Sequence, residues 1–123
     1  MLNLFCVFIG GGTGSLCRYA LGRLLPRTDT FTHIPWHTFA ANVLGCLCIG
    51  WLIGYLENRQ TEWVYLLFVT GFCGGFTTFS TFSNEFFQLM RQGLFLPALG
   101  YASLSLFCGI GMAALGFALS QQK

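Results

Sequence analysis

Four long apolar stretches, separated by short polar turns, make up most of the 123-residue sequence. They run approximately over residues 2–25, 36–56, 63–90 and 94–119. A helix needs about 20 apolar residues to cross the hydrocarbon core of a bilayer, so each stretch is long enough for one crossing. The sequence therefore predicts an all-α integral membrane protein, with four transmembrane helices in a single domain, 1–123.

Charged side chains are too few for a water-soluble protein of this size. Only 8% of the residues are Asp, Glu, Lys or Arg, against about a quarter in soluble domains. The net charge of +2 is small and scattered, which argues against a nucleic-acid-binding surface. The sequence shows no phosphate loop, metal-ligand cluster or nucleophile–base set, so we do not expect an enzyme. The remaining classes of function are the binding of a small solute and its conduction across the lipid bilayer.

Cysteine and histidine are interpreted as structural in this sequence. The six cysteines lie in apolar stretches without a CxxC pair, so we expect buried free thiols. His33 and His37 are four residues apart, but Pro35 between them opposes a helix. We therefore expect both histidines to be loop residues rather than parts of a zinc site.

The third apolar stretch contains a ladder of aromatic residues. Phe76, Phe79 and Phe82 recur every three residues, which would place them close together on a helix surface. Aromatic rings have positive edges, so such a ladder could favour a small anion in a narrow path. The alternative is a packing or lipid-facing stripe. Interleaved hydroxyl groups are unusual for a lipid-facing surface, and here they are those of Thr77, Thr78, Ser80, Thr81 and Ser83.

A glycine pair just before this ladder predicts irregular backbone. Gly74 and Gly75 weaken a helix, and a break at membrane depth survives only where it lines a cavity or is buried in protein. An unwound turn would release carbonyl oxygens that can hold a small cation such as Na⁺. A close helix crossing without a break would explain the same two glycines.

Three isolated polar residues are candidates for function. Arg18 lies within the first apolar stretch, where an ionisable residue is a functional hypothesis, although it could instead mark a helix end and reach the interface. Asn42 could donate to an anion or hydrogen-bond a neighbouring helix. Glu85 follows the phenylalanine ladder near the mouth of the third stretch, where a solvated carboxylate is the alternative.

The distribution of basic residues leaves the orientation of the chain almost undecided. Four crossings would place both termini on one side of the membrane. Basic residues near that side are Arg59 and Lys123, and those near the other are Arg23, Arg27 and Arg91. Because the positive-inside rule acts through this bias, two against three permits dual topology and an antiparallel homodimer. One fixed orientation is the alternative.

The run over residues 71–83, Gly-Phe-Cys-Gly-Gly-Phe-Thr-Thr-Phe-Ser-Thr-Phe-Ser, resembles the Fluc (CrcB) family of bacterial fluoride channels. Residues 14–19, residues 39–45 and Tyr101 support the resemblance, which extends over essentially the whole chain. It implies an antiparallel, dual-topology homodimer in the bacterial inner membrane. Such a dimer has two pores and a break in the third helix near Gly74-Gly75, and it exports cytoplasmic fluoride passively.

The resemblance also implies roles for particular residues. A structural Na⁺ on the dimer axis would be held by the backbone carbonyls of Gly74 and Thr77. The sequence departs from the family where Gly109 follows Cys108, because a pore serine is common in that helix and the nearest one here is Ser105. The implied pore residues are Phe79, Phe82, Asn42, Ser80, Thr81 and Ser105, with Arg18 and Glu85 near the pore entrance.

A small multidrug-type proton antiporter is the alternative function, because it also has four short spans and can be a dual-topology dimer. Such a transporter needs a carboxylate deep in the membrane. The first span has none, and Glu85 lies near a helix end. A structural membrane subunit without transport activity is a third hypothesis, which would leave the polar phenylalanine ladder unexplained.

Overall fold

A computed structural model of the protein describes residues 1–25 and 31–122, and the described chain is built from helices. Helix α1 spans Leu2–Leu24 and α2 spans Trp36–Leu56. The third span, Glu62–Arg91, consists of several segments, and the last helix, α6, spans Phe95–Gln121. All four spans are long and apolar enough to cross a membrane, which confirms the predicted fold class. Arg27 and Lys123, used above in counting basic residues, lie outside the described residues.

The third span changes helix type along its length. It starts with α3 (Glu62–Val64), continues as a π-helix over Tyr65–Cys73, and returns to an α-helical turn, α4 (Gly74–Phe76). Thr77 and Thr78 are extended, with φ, ψ of −88°, 159° and −151°, 120°. Helix α5 (Phe79–Arg91) completes the span. The predicted break is therefore present, two residues beyond the glycine pair.

The glycine pair itself is helical, and its second member, Gly75, allows close packing against α1. Gly74 has φ, ψ of −61°, −38°, so neither it nor Gly75 is unwound. A Cβ atom added to Gly75 would run into the backbone of α1. Small residues let two helix backbones approach at this distance in a membrane. Other glycines along this contact are equally close to the facing backbone. A Cβ added to Gly10, Gly14 or Gly75 would meet the carbonyl oxygen of Leu67, Phe72 or Gly11, respectively.

Helices α2 and α6 cross in the same way. A Cβ atom on Gly50 would meet the carbonyl oxygen of Ala113, and one on Gly116 would meet that of Leu47. The molecule therefore contains two tight helix pairs, α1 with residues 62–76 and α2 with α6. Helix α5 is attached differently, through a side-chain cluster formed by Ile34, Leu89, Ala98 and Tyr101 with Phe82 and Phe86 packed against it.

Two expectations for single residues are wrong. Helix α2 begins at Trp36, directly after Pro35, and proline is well tolerated at the start of a helix. His37 is therefore in the first turn of α2, while His33 precedes it in a non-helical conformation with φ of 60°. The six cysteines are free thiols, but Cys17 and Cys48 are exposed on the surface of the chain rather than buried.

Candidate functional site

Two cavities meet at the break in the third span. One, of about 650 Å³, is lined by basic and hydroxyl side chains, and we call it the basic vestibule. The other, of about 610 Å³, is mostly apolar and open on one side, and we call it the phenylalanine groove. Thr78 lines both cavities. The vestibule is lined by Ser15, Arg18, Tyr19, Arg23, His37, Thr38, Thr78 and Thr81, and the groove includes Asn42, Cys46, Gly74, Thr77, Phe79, Phe82 and Ser105.

Asn42 fixes the backbone at the point where the two cavities meet. Its Oδ1 accepts a hydrogen bond from the Thr78 N–H at 2.9 Å, and its Nδ2 donates to the Thr78 carbonyl at 3.2 Å. These two bonds satisfy the backbone groups that the break removes from the helix. Since an amide NH₂ has two hydrogens, one N–H of Asn42 is not used by Thr78. Asn42 can therefore pin the break and still present a donor to the groove that it lines.

The hydrogen bonds around the break leave the carbonyls of Gly74 and Thr77 without their helical donors. In a continuous helix the N–H of Thr78 would donate to Gly74 and that of Thr81 to Thr77. Instead the Thr78 N–H donates to Asn42, and the Thr81 N–H donates to the Thr78 hydroxyl at 3.2 Å. The Gly75 carbonyl is occupied differently, because it accepts from Arg18 Nε at 3.1 Å. Gly74 and Thr77 thus lose their helical donors while lining the groove.

The phenylalanine ladder is divided by the break. Phe76 precedes it, is buried, and stacks on Phe72 with ring centroids 5.8 Å apart. Phe79 and Phe82 follow it, line the groove, and have centroids 6.1 Å apart with a 34° tilt. The expectation of a continuous three-ring surface is therefore wrong for Phe76, because the extended residues rotate α5 away from the register of α4. Only Phe79 and Phe82 are placed to contact a small ligand in the groove.

The hydroxyl groups of the break have different surroundings. Thr78 caps α5, and its Oγ1 accepts from the Thr81 backbone N–H and contacts both Ser80 Oγ at 3.3 Å and Thr81 Oγ1 at 3.1 Å. Thr81 lines the vestibule, whereas Ser80 is exposed and is not among the lining residues of either cavity. Thr77 is used locally, because its hydroxyl donates to the Cys73 carbonyl at 2.8 Å.

Ser105 has the one buried side-chain oxygen or nitrogen, among the described residues, that lacks a hydrogen-bond partner. It projects from α6 into the phenylalanine groove. An unpaired buried hydroxyl costs free energy, so Ser105 can supply a hydrogen bond to a ligand in the groove without breaking an existing one. No comparable group occurs at Gly109, where an added Cβ would lie 3.3 Å from Cys46 Sγ.

Arg18 and Glu85 both lie beside the vestibule, but Glu85 is not a solvated carboxylate. Its Oε1 accepts from the Thr38 hydroxyl at 2.7 Å, and its Oε2 accepts from the Tyr101 hydroxyl at 3.0 Å. His37 Nε2 is 3.6 Å from the same Oε1. Tyr101 is fully buried and packs on Phe82 with centroids 5.0 Å apart. The carboxylate is thus held in place next to the groove.

Sequence reasoning from the residues missed two features. It did not identify Thr38 as a partner of Glu85, and it did not predict that Thr78 both caps α5 and lines the two cavities. A signal for Thr38 was present, since Thr38, Asn42 and Cys46 follow one another at intervals of four on a single helix face. Thr78 carried no such signal, because its position depends on where the helix breaks.

The sequence matches known proteins over nearly its whole length. Residues 5–117 match the model of a family described as "CrcB-like protein, Camphor Resistance (CrcB)". A protein of Flavobacterium psychrophilum named fluoride-specific ion channel FluC is 42% identical over 124 residues, which cover 99% of each chain. The FluC protein of Phocaeicola vulgatus is 44% identical over 123 residues, covering 98% of this chain and 100% of the relative. That of Azobacteroides pseudotrichonymphae is 41% identical over 121 residues, covering 97% and 96%.

Proposed function

The chain belongs to the CrcB family, and on this premise we propose that it is a fluoride-selective ion channel that lets cytoplasmic fluoride leave the cell passively. It is a multi-pass membrane protein, which we place in the bacterial inner membrane. The observation that carries the proposal is the meeting of the basic vestibule and the phenylalanine groove at Thr78. An anion collected by positive charge would thereby reach the groove, which is lined by hydrogen-bond donors and phenylalanine rings.

The vestibule attracts the anion before it loses water. Arg18 and Arg23 line this cavity, and clefts lined by one sign of charge raise the local concentration of the opposite ion. Arg18 keeps its guanidinium in place by donating from Nε to the Gly75 carbonyl. A guanidinium has five N–H donors, so the others remain for the solute.

The groove replaces part of the hydration shell of fluoride. Donors available there are the second N–H of Asn42 and the hydroxyl of Ser105. The rings of Phe79 and Phe82 present positive edges, which can approach a small anion closely. In a completed pore, larger anions would have to separate these groups further, which would favour fluoride over chloride.

No chemical energy is needed for export in this proposal. A membrane potential that is negative inside drives an anion outward by about 2.3 kcal/mol per charge per 100 mV. Hydrogen fluoride that diffuses inward and dissociates in a neutral cytoplasm would therefore be removed as the anion.

A second copy of the chain completes the pores in this proposal. The groove is open along one side, and Phe79 is 80% exposed in the single chain. Lipid cannot satisfy the polar groups of Asn42, Thr77 and Ser105 that line the same surface. An antiparallel, dual-topology homodimer would cover it, and the weak bias in basic residues permits both insertions.

We also propose that such a dimer holds a structural Na⁺ between the two breaks. The donor set fits this ion, because the carbonyls of Gly74 and Thr77 have lost their helical partners and oxygen ligands suit a hard cation. Two copies would supply these carbonyls in pairs. When bound, the ion would lower the electrostatic cost of an anion in the nearby groove. The chain's own part is to keep the carbonyls released, through Asn42 and the cap at Thr78.

Fluoride efflux from liposomes that hold the purified protein tests the proposed function, with chloride efflux as the control. We expect fluoride to leave rapidly when a potassium ionophore balances charge, and chloride to stay inside. Equal efflux of both anions, or none of either, would contradict the proposal. The multidrug-type antiporter receives no support from the relatives, and proton-coupled ethidium efflux in the same vesicles would be its signature.

A further inference from the structure

A third cavity lies on the surface of the helix bundle, and we call it the outer groove. Its volume is about 380 Å³, and every side chain that lines it is apolar. The lining comes from α2, the third span and α6, and it includes Leu47, Trp51, Phe68 and Leu119. None of its described lining residues belongs to the basic vestibule or to the phenylalanine groove.

The outer groove and the phenylalanine groove lie on different faces of α2. Asn42, Cys46 and Ile49 line the phenylalanine groove, whereas Leu47 and Trp51 line the outer groove. At 3.6 residues per turn, these two sets lie on nearly opposite sides of the helix. A second copy that covers the phenylalanine groove would therefore leave the outer groove facing lipid.

A stack of side chains connects the outer groove to the end of α2. The rings of Trp51 and Tyr55 are parallel to within 11°, and their centroids are 5.1 Å apart. The Arg59 guanidinium lies over the Tyr55 ring, 4.3 Å from its centroid. Helix α2 ends at Leu56, and Trp and Tyr are typical of the membrane–water interface. The stack therefore places the cation of Arg59 at the level of the lipid headgroups, at the interfacial end of the groove.

We infer that the outer groove binds an acyl chain of an anionic phospholipid, whose headgroup phosphate is held by Arg59. A phospholipid has the required combination of groups, since its apolar chain is joined to a phosphate at the membrane interface. The inference concerns a lipid site rather than the path of an ion. It goes beyond the proposed function and does not depend on which solute the protein conducts.

The side chain of Arg59 is exposed and can reach a phosphate. Stacking on Tyr55 uses the face of the guanidinium, whereas its N–H groups lie in the plane and can form paired hydrogen bonds with phosphate oxygens. Two carboxylates of the same turn are directed elsewhere. Glu57 accepts from an amide of α6 at 3.5 Å, and Glu62 accepts from an amide of α1 at 3.3 Å. Within the described part of the chain, neither carboxylate forms an ion pair with Arg59.

The charge of this site favours an anionic lipid over phosphatidylcholine. Both kinds of lipid have a phosphate, but choline adds a quaternary ammonium that a guanidinium repels. Phosphatidylglycerol has a net negative charge and no such group. The attraction between one basic side chain at the membrane surface and anionic lipid corresponds to about a fivefold preference.

Quenching of Trp51 fluorescence by brominated lipids tests the inference, because bromine quenches only at close contact. Trp36→Phe and Trp63→Phe together leave Trp51 as the single tryptophan. In mixed bilayers, phosphatidylglycerol brominated in its acyl chains should bind about fivefold more tightly than brominated phosphatidylcholine. Arg59→Gln should abolish this preference. Arg91→Gln, which removes an exposed arginine at the end of α5, should retain it.

Three results would overturn the inference. If neither brominated lipid quenches Trp51, protein covers the groove. Equal affinities for the two lipids, or a preference that survives Arg59→Gln, would show that Arg59 does not hold the headgroup. Should the single-tryptophan protein not fold, native mass spectrometry of the wild type and of Arg59→Gln replaces the fluorescence measurement. The wild type should then retain about fivefold more phosphatidylglycerol, and equal retention would again overturn the inference.

Discussion

The two halves of the third span are held in different ways. Before the break, residues 62–76 lie backbone to backbone against α1, with glycine at the points of contact on both sides. After the break, α5 is anchored by side chains such as Leu89 and Phe82 in a cluster with Tyr101. Phe79, at the start of α5, is 80% exposed, whereas Phe76, three residues earlier, is buried.

The first half of the span, residues 62–76, is therefore packed within the chain, whereas the start of α5 is partly uncovered. We call residues 62–76 the rigid half and α5 the unfinished half. The first half satisfies its close contacts within one chain and leaves little room for any change of volume. The second half begins with Phe79 and Ser80, which are exposed in the single chain. A path for a small ion could be built at such a junction, because one side is rigid and, in the proposed dimer, a second copy would cover the other.

The rigid half should be the most sensitive to added volume. Gly75→Leu would drive a side chain into the Gly11 carbonyl, which belongs to the backbone of α1 and cannot move aside. We expect a loss of stability of at least about 3 kcal/mol, the upper end of overpacking costs, seen as aggregation in size-exclusion chromatography. Gly12→Leu is the matched control, since nothing lies within 4 Å of a Cβ at that position. A monodisperse Gly75→Leu protein would contradict the close packing.

The unfinished half should depend on the orientation of two copies. Lysines added at the turn between α2 and the third span would favour one insertion through the positive-inside rule. If the pores need antiparallel chains, this variant alone should lose fluoride efflux. Co-expression with a copy biased in the opposite direction, by lysines at the turn after α5, should restore it. Full efflux from one strongly biased variant alone would point to a parallel assembly or a monomeric pore.

The two sides of the break should also differ in what an aromatic ring contributes. Replacing Phe79 or Phe82 by Ile keeps an apolar side chain but removes the positive ring edge. We expect fluoride efflux to fall more than about tenfold, equivalent to about 1.4 kcal/mol in the barrier, with the protein folded and its oligomeric state unchanged. Phe76→Ile is the control, because Phe76 stacks on Phe72 and is buried. It should lower thermal stability while leaving the efflux per folded protein unchanged.

The sequence was sufficient for the features that depend on hydropathy and composition. Four apolar stretches predicted four membrane-spanning helices. The break in the third was implied by the family resemblance, since the glycine pair alone left a close crossing without a break equally open. The extent of the break was not predictable, because Gly74 and Gly75 remain helical and the chain opens at Thr77 and Thr78. That choice depends on Asn42, which is 36 residues away in sequence and replaces the helical partners of Thr78.

The candidate site was predictable to a similar degree. Phe79, Phe82, Asn42 and Ser105 line one groove and Arg18 the adjoining vestibule, so spacing and resemblance brought together residues that are close in space. Ser80 falls outside both linings. The surroundings of Glu85 could not be derived from the sequence. Its neighbours Thr38, His37 and Tyr101 come from two other helices, and the residues next to Glu85 in sequence do not indicate these contacts.

The smallest expected effect concerns Gly74, which differs from its neighbour Gly75 although both are helical. A Cβ at Gly74 would meet nothing within 4 Å in the single chain, and alanine is favoured over glycine in a helix by about 0.5–1 kcal/mol. A chain without a partner should therefore be slightly stabilised by Gly74→Ala. If a second copy packs against this position, the added methyl group should instead weaken association severalfold and reduce efflux.

Energy transfer between labelled chains in lipid bicelles measures the association of two copies. Gly111→Ala, equally open in the single chain, supplies the comparison. Unchanged association in Gly74→Ala would mean that the two breaks do not face each other, and with that the shared Na⁺ site would lose its basis.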